Sequence, residues 1–116
     1  MRIPKDAVLL RIFLGEGDKH AGKPLYEAIV MAAREHHLAG ATVLRGPLGF
    51  GHSSRVHTAK ILRLSEDLPI IVEIVDSTEK IEDFLPELDG MIEEGMVTIE
   101  KVRVLAYRHN QKRAGS

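Results

Sequence analysis

The sequence predicts an α+β domain in which one antiparallel sheet carries two helices on one face. Two observations lead to this fold class. Apolar runs typical of strands and amphipathic runs typical of helices follow the order β-α-β-β-α-β, which is the split βαβ, or ferredoxin-like, pattern. The 116 residues, 44% hydrophobic and 28% charged, suit a single domain built around one core.

The N-terminal half supplies the first βαβ unit. The run AVLLRIFL at 7–14 predicts a strand, because it is short, apolar and followed by a glycine-rich polar loop. Apolar residues at helical spacing predict an amphipathic helix over 24–38, and Gly40 is expected to end it as a left-handed residue. The run ATVLRG at 41–46 predicts the next strand.

The rest of the chain completes the pattern. Strands are predicted at 58–64, 70–76 and 96–107. The second helix precedes the last of these strands; Asp76 and Ser77 are both candidate N-caps, and Asp76 with Glu79 predicts a capping box. Pro86 is expected to kink this helix, and Gly95 is expected to stop it.

Composition bounds the organisation of the chain. Residues 1–109 are expected to form one domain, followed by a polar tail at 110–116. The absence of cysteine fits a cytoplasmic protein, and a net charge of −1 gives no reason to expect nucleic-acid binding. Since no apolar run approaches the ~20 residues of a spanning helix, no membrane insertion is expected.

The predicted strands are apolar on both faces. In the run at 70–76, Ile70, Val72 and Ile74 would face one side of the sheet, and Ile71 and Val75 the other. Because a large exposed apolar face is unstable in a soluble monomer, we expect sheets to pack against each other between subunits of a homo-oligomer. The alternative is that this run is a central strand of a different α/β arrangement.

Charge is distributed unevenly along the chain. The window from 36 to 65 holds four of the 16 basic residues, four of the six histidines and none of the 17 acidic residues. Such a window predicts a cationic surface that attracts a small anionic ligand. The alternative is that its basic residues pair with acids from the helices or from a neighbouring subunit.

The same window contains a glycine-rich run, GPLGFGHSS, at 46–54. It loosely matches the phosphate-binding pattern GxxxxGK[ST], with His52 in place of lysine. That pattern opens a helix, whereas strand-like residues follow here, so we reject it. We expect instead a partly mobile loop at 47–58 whose glycines let backbone N–H groups approach an anion.

This region also resembles a known family. The stretches Gly40-Ala41-Thr42-Val43 and Gly49-Phe50-Gly51, with Arg45 between them, are similar to the segment of PII signalling proteins that leads into their long T-loop. The whole chain resembles an uncharacterised family of PII-like proteins. The resemblance implies a homotrimer with its sheets facing inward, and an adenine nucleotide bound between subunits near the loop.

The expected role is therefore regulatory binding, through the loop and onto a protein partner, and not catalysis. No cofactor is expected beyond the nucleotide ligand. The alternative is a metal-handling trimer, or a minor enzyme, that uses His52 and His57. The candidate ligand-binding residues, the first five from the resemblance or loop position and the others from local charge, are Arg45, Gly46, Gly49, Phe50, Gly51, His52, Ser53, Arg55, His57 and Lys60.

Overall fold

Two helices and six strands make up the described part of the chain. The computed structural model describes residues 5–50 and 68–108. Its elements are β1 (Asp6–Gly15), β2 (Lys19–His20), β3 (Lys23–Pro24), α1 (Leu25–Glu35), β4 (Thr42–Arg45), β5 (Pro69–Asp76), α2 (Thr78–Met91) and β6 (Met96–Arg103). The strand predicted at 58–64 lies outside the described residues, as does the tail at 110–116.

The four longer strands form one sheet in the order β4-β5-β1-β6, and every neighbouring pair is antiparallel. The predicted ferredoxin-like α+β fold is confirmed. The structure adds one element, because the polar loop after β1 contains a small hairpin of β2 and β3. Ala21 and Gly22 form its two-residue turn with φ of 53° and 81°, which is the hairpin turn that favours positive φ.

The core lies between the helices and one face of the sheet. Residues on β1 and β5 alternate between buried and half-buried, as strands with one covered face do. The fully buried side chains include Leu10 and Ile12 of β1, Ile29 of α1 and Phe84 of α2. Both helices therefore cover the two central strands, whereas most residues of β4 and β6 are exposed.

The other face of the sheet, which we call the open face, combines apolar side chains with a charged centre. Arg11 of β1 donates from Nε to Glu73 Oε2 at 2.7 Å and from Nη1 to Glu100 Oε1 at 2.8 Å. The hydrogen bond to Glu73 raises the pKa of Arg11 above its ordinary value; the negative charges of Glu73 and Glu100 add to this, and desolvation opposes it. Leu9 and Phe13, on the same strand face, remain only half-buried.

The end of α1 differs from the prediction. The helix ends at Glu35, and the left-handed residue is His37, with φ of 60°, and not Gly40. The N–H groups of His37 and Leu38 donate to the carbonyls of Arg34 and Ala33, at 3.0 and 3.1 Å. These two bonds form a Schellman motif, in which a histidine occupies the position that glycine usually takes.

The start of α2 also differs, because the predicted capping box of Asp76 and Glu79 is wrong. Ser77 is the N-cap, and its Oγ accepts a hydrogen bond from the N–H of Lys80 at 3.2 Å. Asp76 is fully buried and accepts from the N–H groups of Ala39 and Ser77, at 2.8 and 2.7 Å. This carboxylate therefore ties the connection before β4 to the start of α2.

The far end of α2 lies four residues before the predicted stop. The helix runs through Pro86 and ends at Met91, and the kink at Pro86 stays a prediction. Gly95 has a φ of 138° and lies immediately before β6. It thus shapes the start of a strand and does not end a helix.

Candidate anion-binding site at the base of the loop

The candidate loop leaves the sheet at β4 and returns to it at β5. Arg45, the last residue of β4, pairs in register with Ile70. The N–H of Gly46 donates to the carbonyl of Pro69 at 2.8 Å and so extends the pairing by one step. The two strands that flank the loop are therefore joined at its base, and the sheet fixes the position of Arg45.

Two of the predicted glycines pack against one proline. A Cβ added to Gly46 would lie 2.9 Å from Pro69 Cγ, and one added to Gly49 would lie 3.0 Å from the same atom. Neither glycine is among the described residues with positive φ. A side chain at either position would therefore require Pro69 to shift, by more at Gly46 than at Gly49. The Gly46 N–H is already bonded to Pro69 in this structure, and the part of both glycines in ligand binding stays a prediction.

Arg45 has a carboxylate partner. Its Nη2 donates to Glu16 Oε2, and the two side chains are 52% and 24% exposed, respectively. The N–H of Glu16 donates to the carbonyl of Leu68 at 2.8 Å, and Leu68 immediately precedes β5, the strand that follows the loop. Glu16 therefore contacts both flanks of the loop, one through its side chain and the other through its backbone.

The turn that carries Glu16 is held by Asp18. The N–H of Gly15 donates to Asp18 Oδ2 at 3.0 Å, and the N–H of Asp18 donates to the carbonyl of Gly15 at 3.1 Å. The carbonyl of Asp18 also accepts from the N–H of Leu25, the first residue of α1, at 2.8 Å. A side chain that caps its own turn in this way restricts the backbone on both sides of Glu16.

The expected cationic surface is partly compensated within the described residues. Besides Arg45, His36 is paired, with its Nε2 2.5 Å from Glu87 Oε1 and its ring packed edge-on against Phe84 at 5.2 Å. Glu87 lies on a helix, as the alternative expectation has it, whereas Glu16 lies in the turn after β1, a source that neither expectation names. Arg45 nevertheless keeps about half of its side chain exposed, so its guanidinium can still accept an anion.

The described start of the loop exposes two large apolar side chains. Phe50, a predicted ligand-facing residue, is 74% exposed, and Leu48 is 67% exposed. Phe50 lies five residues after Arg45 in the sequence, and an exposed aromatic ring is a surface on which a flat molecule can stack.

Six of the predicted site residues lie outside the described residues: Gly51, His52, Ser53, Arg55, His57 and Lys60. The metal alternative depends on two of them. Within 5–50 and 68–108, no group of three or more histidine and acidic side chains is arranged as a metal site. In that same part of the chain, neither helix is long and apolar enough to cross a membrane.

Sequence reasoning missed Glu16 and Pro69 at this site. Glu16 lies 29 residues before its partner Arg45, and no spacing rule connects an acid in one loop with an arginine at the end of a later strand. Pro69 offered a better signal, because two glycines on one flank of a loop and a proline on the other suggest a close backbone approach.

Comparisons with known proteins place the chain in a family. A UPF0166 protein of Aquifex aeolicus (strain VF5) is 41% identical over 105 residues, which cover 90% of this chain and 98% of that protein. A UPF0166 protein of Methanocaldococcus jannaschii is 38% identical over 99 residues, which cover 84% and 91%, respectively.

A solved structure shares the fold. CPII from Thiomonas intermedia K12, a nitrogen regulatory PII-like protein bound to ADP, AMP and bicarbonate, matches with a TM-score of 0.57 and 15% identity. The match covers 89% of this chain and 97% of that protein. At this identity the likeness establishes a shared PII-like fold alone. The model of the DUF190 family, described as uncharacterized ACR, matches residues 7–104, and the chain therefore belongs to this family of PII-like proteins.

Proposed function

We propose that this protein is a PII-like regulator that binds a small anionic ligand, an adenine nucleotide, between the subunits of a homotrimer. The observation that carries the proposal is a half-exposed arginine, Arg45, fixed by the sheet at the base of the candidate loop. Arginine pairs well with phosphate because its planar guanidinium donates two parallel hydrogen bonds. A relative in fold, CPII, was solved with ADP and AMP bound.

The neighbouring Phe50 supports a nucleotide over a simple inorganic anion. An exposed phenyl ring costs free energy unless something covers it, and a purine base is a suitable cover because aromatic rings stack on each other. Arg45 and Phe50 are thus assigned to the phosphate and the base. The predicted contacts from Gly51, His52, Ser53, Arg55, His57 and Lys60 remain part of the proposal.

The exposed parts of the sheet support association between copies. Leu44 of β4 is 45% exposed, and Met96 and Ile99 of β6 are 56% and 47% exposed. Natural edge strands usually carry charges, prolines or bulges, so apolar side chains on both edges of this sheet favour an interface. In the proposed trimer the open faces point inward and Arg45 lies near a seam between subunits.

The proposed role is binding and signalling in the cytoplasm, with a protein partner that recognises the loop at 47–58. A ligand can shift the loop between two states only if it binds them with different affinities. The prediction is that nucleotide binding changes the affinity for the partner, and that the partner changes the affinity for nucleotide by the same factor.

Isothermal titration with ATP, ADP, AMP and cyclic nucleotides tests the ligand. We expect at least one to bind at micromolar to millimolar concentrations, and Arg45→Ala to weaken it about tenfold, the loss of one charge-assisted contact. Arg34→Ala, which removes the same charge from the last turn of α1, is the matched control and should leave binding unchanged. No heat with any member of the panel at millimolar concentration would count against the nucleotide.

Light scattering during size-exclusion chromatography tests the assembly. A mass of three chains is expected, and Met96→Lys should lower it, because Met96 pairs with Phe13 of the open face and is 56% exposed, so the new charge would be buried between subunits. A monomeric wild-type protein at micromolar concentration would contradict a ligand-binding site between subunits.

A further inference from the structure

Glu16 occupies an unusual position relative to the candidate site. Its carboxylate accepts from Arg45 on the strand that leads into the loop, and its N–H donates to the carbonyl of Leu68, the residue immediately before β5. Asp18, through its bonds to Gly15 and Leu25, fixes the turn on which Glu16 lies. Backbone bonds to Gly15, Leu25 and Leu68 thus hold the turn that places the Glu16 carboxylate against Arg45. The proposed function assigns that arginine to the ligand's phosphate.

The two members of this ion pair differ in exposure. Glu16 is 24% exposed and its backbone is bonded, whereas Arg45 is 52% exposed at the end of a short edge strand. The guanidinium is therefore the more accessible member of the pair to a ligand, and the turn keeps the backbone of Glu16 in place.

We infer that Glu16 is an internal competitor of the ligand at Arg45 and sets the affinity of the site. This inference rests on the proposed function, because it assumes that Arg45 receives the anion. The carboxylate satisfies Arg45 in the ligand-free protein, so an incoming phosphate must replace or share that contact. Repulsion between Glu16 and the ligand grows with ligand charge, so the effect is largest for multiply charged anions.

The sign of the expected effect separates competition from positioning. If Glu16 competes, its neutralisation raises anion affinity, whereas if it merely orients Arg45, its neutralisation lowers that affinity. Glu16→Gln is the suitable change, because glutamine keeps the length of the side chain and an oxygen that accepts from Arg45. Because exposed ion pairs contribute little, the expected gain in anion affinity is at most about fivefold.

The test uses inorganic tripolyphosphate and orthophosphate as probes on the full chain, with calorimetry at fixed ionic strength. Glu16→Gln should bind tripolyphosphate several-fold more tightly than the wild type and should change orthophosphate binding less. Glu82→Gln is the control for net charge, since it removes an exposed acid from α2. When Arg45 is already replaced by glutamine, adding Glu16→Gln should change the tripolyphosphate affinity by no more than Glu82→Gln does.

Weaker tripolyphosphate binding in Glu16→Gln would overturn the inference, and so would equal binding by wild type and Arg45→Gln. The thermal midpoint without tripolyphosphate checks that each variant is folded. The rise in that midpoint when tripolyphosphate is added should rank the variants by affinity in the same order as calorimetry, because a ligand stabilises the folded state that it binds. If tripolyphosphate follows the expected pattern but ATP binds no more tightly than tripolyphosphate, the competitor role of Glu16 stands and the nucleotide proposal fails.

Discussion

Gly95 offers the sharpest test of how the sheet is assembled. It precedes β6, has a φ of 138°, and a Cβ at this position would lie 2.6 Å from the carbonyl oxygen of Phe13 on β1. Phe13 pairs with Met96, the residue after Gly95. A methyl group at Gly95 would therefore collide with backbone, which cannot rotate away, at the point where β1 and β6 begin to pair.

Two costs add up in Gly95→Ala. Holding alanine in a backbone region that side chains rarely adopt costs about 1–3 kcal/mol. Relieving the contact with Phe13 requires one strand to shift, and such overpacking typically costs another 1–3 kcal/mol. The expected loss is about 4 kcal/mol, a large share of the roughly 5–15 kcal/mol that stabilises a typical domain.

The assay is urea unfolding followed by circular dichroism, at fixed protein concentration because association contributes to stability. Gly40→Ala is the matched control, since nothing lies within 4 Å of a Cβ at Gly40 and its φ is not positive. A loss below about 1 kcal/mol in Gly95→Ala would refute the reasoning, because it would show that the strands absorb the methyl group without strain.

Substitutions at four further positions test the other structural roles. Asp76→Ala should cost about 3–5 kcal/mol in the free energy of unfolding, because two backbone N–H groups lose a buried carboxylate acceptor; an equally stable variant would contradict this. Gly46→Ala should cost about 1 kcal/mol relative to Gly40→Ala, because its methyl group meets Pro69, and equal unfolding midpoints would argue against that contact. Gly90→Ala, at an exposed position of α2, should stabilise the protein by up to about 1 kcal/mol, measured as a higher thermal midpoint. His37→Val should cost about 1–2 kcal/mol and His37→Gly little, whereas similar losses in both would indicate a side-chain role.

The sequence was sufficient to predict the sheet and both helices because their periodicity is strong. The run at 70–76 is mostly apolar, interrupted only by Glu73 before Asp76 ends it, and becomes β5, one of the two central strands. The run predicted at 96–107 is a strand only as far as Arg103, where its pairing with Asp6 of β1 ends. Pairing with a neighbouring strand, which periodicity does not report, decides where an edge strand stops.

The ends of the helices were less predictable, because several residues compete for each cap. Gly40 has the better propensity for the left-handed position, yet His37 takes it so that Leu38 can be buried in the core. Asp76 and Ser77 have similar propensities for the N-cap, and Ser77 takes it while Asp76 is buried and accepts from the N–H of Ala39. Tertiary contacts thus outweighed a local preference at the end of α1, and decided between two equal candidates at the start of α2.

The candidate site shows why glycine-rich loops are ambiguous in sequence. Gly46 and Gly49 satisfy the pattern expected of an anion-binding loop, but both also lie close to Pro69, and the Gly46 N–H is bonded to that residue. In the proposed function, the described part of the loop therefore recognises the anion mainly through a side chain, Arg45. Side-chain recognition can be tuned by a neighbouring acid in a way that backbone N–H groups cannot, and Glu16 lies where such tuning requires it. The affinity of this site is therefore expected to depend on one carboxylate that lies outside the loop and outside its charge window.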